Sequence, residues 1–184
     1  MKKSLKIKIQ KIKNNKYRSK DFIIADAKDG DLAMGITTPG PIRNSKGEIS
    51  KGYKKLNDYK KSMMAMTKSK LIDIMLMSAS VGESLIQKKL FKDSSVTPAI
   101  RMNDTSDIWL MRNGNYRATN PRPFRSARIE AVNKLVNLGL FSVTFSKNVD
   151  FDLAMLNAYR DFRIEAVKYR FDHFLEIFNP PIDI

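Results

Sequence analysis

The chain predicts a parallel α/β protein, and two observations carry that prediction. Five short apolar runs of strand type each break into polar residues at the downstream end, and all but the last lead toward a segment with helical periodicity. The runs are Phe22 to Ala25, Ile72 to Met77, Val96 to Ile100, Phe141 to Phe145 and His173 to Phe178. Five strands and four helices suit a partial TIM barrel; the alternative is an open five-stranded doubly wound sheet. The length favours the sheet, and the motifs favour the barrel. In either architecture chemistry gathers where the parallel strands end, so the polar ends are the expected seat of function.

Residues 1–20 form a basic N-terminal arm, and 21–184 the β/α domain, read as an incomplete barrel. The arm holds nine Lys and Arg and no acid, more than half of the net charge of +15. Leu5, Ile7 and Ile9 alternate with Lys6 and Lys8, which suits an edge strand or a solvated leader; an anion-binding arm is the other reading. After the first strand, Gly30, Gly35, Pro39-Gly40-Pro41 and Gly47 prevent a continuous helix and predict a long loop. Tyr53 to Lys70 reads as an amphipathic helix whose methionines pack against the sheet.

Ser80 is placed to cap a second helix over 81–91, with Glu83 three positions on. After strand three, Ile108-Trp109-Leu110 and Tyr116-Arg117-Ala118 flank Asn113-Gly114-Asn115 and predict a small hairpin. Ser126 would cap a third helix that stops at Gly139. Asn148 or Asp150 would cap a fourth, running to about Arg170.

Composition narrows the chemistry. Zero cysteines exclude disulfides, thiolate catalysis and Cys-based zinc sites, and the single histidine, His173, excludes a multi-His metal centre. No cofactor is expected, and any metal would be a hard, oxygen-liganded one such as Mg²⁺. No apolar stretch approaches the roughly 20 residues that span a bilayer, so no membrane partner is expected and the default location is cytoplasmic.

Candidate site residues lie at the strand ends. Asp26 and Lys28 share a face by the period of two, and can pair. Ser78 and Ser80 follow strand two; Arg101, Asn103 and Asp104 follow strand three; Arg122 and Arg125 precede helix three, where guanidinium forks near a helix start suit phosphates or carboxylates. Each of these has a plainer reading as a cap, a solvated turn or a surface ion pair. Glu176 is sharper. It sits inside Phe174-Leu175-Glu176-Ile177-Phe178, where a strand buried on both faces needs either a cationic partner or a catalytic reason for a carboxylate. Asn179 either positions a substrate hydroxyl or ends the strand before Pro180. His173 lies at the upstream pole and reads as structural.

These segments resemble class I aldolase-like (β/α)8 barrels of the tagatose-bisphosphate aldolase type, N-terminal portion only. The resemblance rests on Ile24-Ala25-Asp26-Ala27-Lys28-Asp29-Gly30, Phe174-Leu175-Glu176-Ile177 and Asn148-Val149-Asp150. It implies a first-strand aspartate at Asp26 and an acid/base glutamate at Glu176. The chain departs from the family pattern where Ser142-Val143-Thr144 stand at the position of the strand-four lysine, and the Schiff-base lysine would fall on a sixth strand past Ile184.

The expected function is therefore an aldolase-like lyase acting on a phosphorylated or carboxylated sugar, with Asp26, Lys28 and Glu176 as the reacting groups, as an oligomer or with a complementing C-terminal half. Two alternatives stand beside it. One is a non-catalytic module binding an anion or nucleic acid through the arm, Arg101, Arg122 and Arg125. The other is a Mg²⁺-dependent barrel enzyme using Asp26, Asp104 and Glu176. Under the leading reading Asp26 and Glu176 would line one cavity.

Overall fold

A computed structural model describes residues 1–31, 35–103, 123–125 and 127–178 of the chain. It is an α/β protein whose five-stranded parallel sheet has the order β1 (Ala25–Lys28), β4 (Ile74–Met77), β5 (Thr97–Arg101), β6 (Leu138–Thr144), β7 (Asp172–Phe178). The described residues form two compact units, Met1–Asp31 with Gly35–Ala99, and those from Ile100 to Phe178; strand β5, Thr97–Arg101, contributes to both.

In the first unit, strand β1 is Ala25–Lys28 and pairs in parallel with β4, Ile74–Met77. All four β4 residues are buried, as expected of an interior parallel strand packed on both faces. The strand starts later than the apolar run suggests. Phe22, Ile23 and Ile24 are exposed, and Asp73 takes over the strand entrance: its carboxylate accepts the Ile24 N–H at 2.8 Å while its own N–H reaches the Ile24 carbonyl.

The expected edge strand in the basic arm is instead helix α1, Ser4–Lys13. Ser4, Lys8 and Lys11 recur at helical spacing, and it is they, not the isoleucines, that bond to the rest of the unit. Lys8 Nζ lies 2.6 Å from Asp73, and Lys11 Nζ 2.6 Å from Asp21. Just before the helix, Lys3 spends three donors on the carbonyls of Phe91, Ser94 and Val96, each at 2.9 Å.

The expected long loop contains a hairpin, β2 (Pro41–Arg43) against β3 (Ile49–Tyr53). Asn44 makes the turn: its side-chain oxygen accepts the N–H groups of Lys46 and Glu48, and Gly47 takes φ +81°. Helix α2, Leu56–Ser69, follows, starting where the Asp58 carboxylate accepts the Lys55 N–H at 3.2 Å. Helix α3, Ala79–Gln87, is capped by Ser78 and not by Ser80; the Ser78 hydroxyl accepts the Val81 N–H.

In the second unit, β6 is Leu138–Thr144, buried at every residue, and β7 is Asp172–Phe178. Between them runs helix α5, Val149–Tyr169, capped by Asn148, whose side chain accepts from Asp150 and Phe151. Its buried stripe of Met155, Phe162 and Ala166 packs by way of Phe162 on Phe141 of β6, ring centroids 4.8 Å apart.

Two expectations change here. The third helix shrinks to α4, Ile129–Val132, and Gly139 is not its terminator but a β6 residue. A Cβ at Gly139 would stand 2.6 Å from Phe171 and 2.7 Å from Met102, so close packing, not chain reversal, requires the glycine. β7 is an edge strand of the described sheet, with Leu175 and Ile177 exposed, so Glu176 is not buried on both faces.

Candidate functional site

The candidate residues fall into two clusters, one in each unit. In the second unit the register builds the cluster. Ser142 lies opposite Glu176, and Arg101 lies opposite Leu140, two residues before Ser142, so the three side chains share a face of the sheet. The Ser142 hydroxyl accepts from Arg101 Nη1 at 2.8 Å and donates to Glu176 Oε2 at 2.9 Å; Arg101 Nη2 is 3.4 Å from the same carboxylate oxygen.

Burial is graded along this chain of groups. The Arg101 side chain is 7% exposed, Ser142 is fully buried, and the Glu176 side chain is 34% exposed. A buried guanidinium thus anchors a carboxylate that opens toward solvent. Asn103 continues the ladder past the end of β5: its side-chain amide donates to the Ser142 carbonyl at 2.9 Å and accepts the Ser142 N–H at 2.7 Å. These two bonds fix the Ser142 backbone against the end of β5, and of the three side chains that of Glu176 is the most exposed.

In the first unit, Lys28 Nζ is 3.0 Å from Asp26 Oδ1, the pairing expected from the period of two. The Ser78 hydroxyl, besides capping α3, donates to Asp31 Oδ2 at 2.6 Å. Burial raises the Asp31 carboxyl above its ordinary range, against the lowering effect of the Ser78 hydrogen bond. Burial, then the Asp31, Asp29 and Asp26 charges, drives the Tyr59 hydroxyl upward, so that it stays protonated. Asp26 Oδ2 and Asp31 Oδ1 are buried and have no hydrogen-bond partner among the described residues. A cleft of about 640 Å³ lies beside Asp31, lined by Tyr53, Lys54, Lys55 and Leu56.

The other predicted residues are placed as follows. Ser80 is exposed in the first turn of α3. Arg125 pairs with Glu165 and stacks 5.5 Å from the centre of the Phe162 ring, the structural use of an arginine foreseen as its plainer reading. Asp104, Arg122 and Asn179, with Ser126 and the hairpin expected over 108–118, lie outside the described residues. Among the described residues no group of three or more His, Asp or Glu side chains is arranged to hold a metal ion. No described helix is long and apolar enough to cross a membrane.

Sequence reasoning missed Ser142 and Asp31 as site members. Ser142 drew notice only as the residue standing in place of a lysine; its position two residues beyond the partner of Arg101 depends on register, which no local pattern reveals. Asp31 was one carboxylate among three in a turn, and its link to Ser78 spans 47 positions of the chain. No protein-family model matches this chain, and neither the curated proteins nor the solved structures compared with it contain a match.

Proposed function

We propose that this chain serves an aldolase-like carbon–carbon lyase acting on a phosphorylated or carboxylated sugar, with Glu176 as the acid/base group. The observation that carries the reading is the Ser142 hydroxyl bridging Arg101 to Glu176 at the downstream ends of β5, β6 and β7, the pole where parallel β/α enzymes do their chemistry. In cleavage, Glu176 takes the proton of the hydroxyl on the carbon that becomes the aldehyde. The C–O bond gains its second component, the adjacent C–C bond breaks, and its electron pair passes to the neighbouring ketone as an enolate; Glu176 then returns the proton to the enolate α-carbon, giving the ketone product. Arg101 and Ser142 are positioning residues, fixing the carboxylate by one charge-assisted contact and one hydroxyl. Asp26 and Lys28 remain candidates in the same reaction class.

The test is cleavage of a panel of ketose phosphates and 2-keto sugar acids, followed by release of the aldehyde fragment. Glu176→Gln keeps the hydrogen bond from Ser142 but cannot carry the proton, and should lower kcat by about 10²–10⁴-fold with the fold unchanged. Borohydride added with a ketose phosphate reports whether an amine joins the chemistry, with Lys28→Met as control. Absence of cleavage across the panel, or a Glu176→Gln variant as fast as the natural chain, would refute the proposal.

A further inference from the structure

Helix α5 has a second apolar stripe that the fold does not use. Its inward stripe packs on the sheet, yet Val149, Leu153, Leu156, Ile164 and Val167 are all exposed, Val149 at 71% and Val167 at 79%. With Arg160 these residues recur at intervals of four, three, four, four and three, a single line running down the helix for about 27 Å at 1.5 Å per residue. By the same rotation of about 100° per residue the line is centred about 135° around the helix from the buried stripe. Isolated exposed leucines are ordinary; a continuous seam of them on the outer side of one helix marks an interaction surface.

The pattern identifies the occupant, because the seam is its own complement. It is symmetric about the level of Ala158: Val149 and Val167 lie equally far to either side, so do Leu156 and Arg160, and Leu153 and Ile164 differ by one position. Laid antiparallel on a second copy across a two-fold axis at that level, Val149 meets Val167 of the other copy, Leu153 meets Ile164, and the aliphatic stem of Arg160 covers Leu156.

The charges agree with this register. Asp150 and Lys168 stand five helical turns apart on the same flank of the seam, both exposed, so the antiparallel copy sets each carboxylate beside the other's ammonium, twice by symmetry. A parallel arrangement would set like charges together. We propose that this chain self-associates as a two-fold dimer through the outer face of α5, with Leu156 and Arg160 at its centre.

Sedimentation of the full chain over a range reaching about 100 µM tests it. The natural chain should show a concentration-dependent monomer–dimer equilibrium. Leu156→Glu, a change on a surface exposed in the monomer, should give monomer only, with the far-ultraviolet circular dichroism unaltered. Asp150→Lys and Lys168→Asp should each weaken association about tenfold, and the double exchange should restore it. Association is the quantity read, since both residues also act on the helix dipole and so on stability. A monomer throughout the range, an assembly larger than two copies, a dimer that survives Leu156→Glu, or a double exchange no tighter than either single variant would each overturn the proposal.

Discussion

A buried hydroxyl with one donor on it and one acceptor beneath it has no freedom left to rotate. Ser142 is in that state, accepting from Arg101 and donating to Glu176. Removing the oxygen takes from Arg101 Nη1 its 2.8 Å acceptor and from Glu176 Oε2 its 2.9 Å donor. Ser142→Ala should therefore cost about 1–3 kcal/mol in urea unfolding, more than an exposed serine would, because polar groups around it stay desolvated. The pairing of Asp26 with Lys28 was visible in the sequence, since two residues separated by one in a strand face the same way. The union of Arg101, Ser142 and Glu176 was not, because it joins residues 41 and 34 positions apart through a register set by neighbouring strands.

At the scale of elements, the short-range signals that misled are instructive. Gly139 after a helical pattern has the form of a C-terminal stop, yet it serves β6 by admitting Phe171 and Met102 to its backbone. Gly139→Ala should destabilise the protein by about 1–3 kcal/mol through overpacking, with the loss read as a lower urea midpoint at unchanged slope. In the basic arm, alternation of Lys with Leu or Ile over five residues satisfies a strand and a helix alike. The helix prevails because it aims Lys8 at the Asp73 carboxylate and Lys11 at Asp21, and follows a Lys3 that ties down three carbonyls. Lys3→Met removes those donors and should cost about 1–3 kcal/mol, whereas Lys6→Met, on the exposed side, should change little.

For the whole molecule, a single histidine makes one stretch of the pH–stability curve assignable to one residue. Burial first, and the Arg163 charge second, lower the His173 pKa below its ordinary 6.5; the ring sits edge-on to Phe162 at 5.2 Å, with the Tyr159 hydroxyl 3.4 Å from Nε2. The folded state thus holds the proton less readily than the unfolded state. Below pH 6.5 the unfolded chain takes up more protons, so stability falls as pH drops through the window between 6.5 and the lowered value, and is fully regained above it. Urea unfolding at pH 5 and pH 7.5 should show this loss in the natural chain, and His173→Gln should flatten it. A carboxylate contributes at lower pH. Burial alone would raise Asp73, but hydrogen bonds from Lys8, Ile24 and Ser4 outweigh it and hold the carboxyl below its usual range, so its stabilisation disappears only in acid.

The amino-acid sequence alone determined the parallel α/β class, because apolar runs of strand length alternating with helical periodicity have few other ways to bury their surfaces. It also determined that Asp26 and Lys28 would share a face, and that no thiol or multi-histidine chemistry is open to this chain. The tertiary structure decided which strand became the edge, so that Glu176 opens to solvent, and which serine stands between it and a buried arginine. It decided as well that Lys8 and Lys11 of α1 are engaged by the carboxylates of Asp73 and Asp21. These outcomes rest on hydrogen bonds across the chain and on register, which depend on what each segment meets and not on what precedes or follows it.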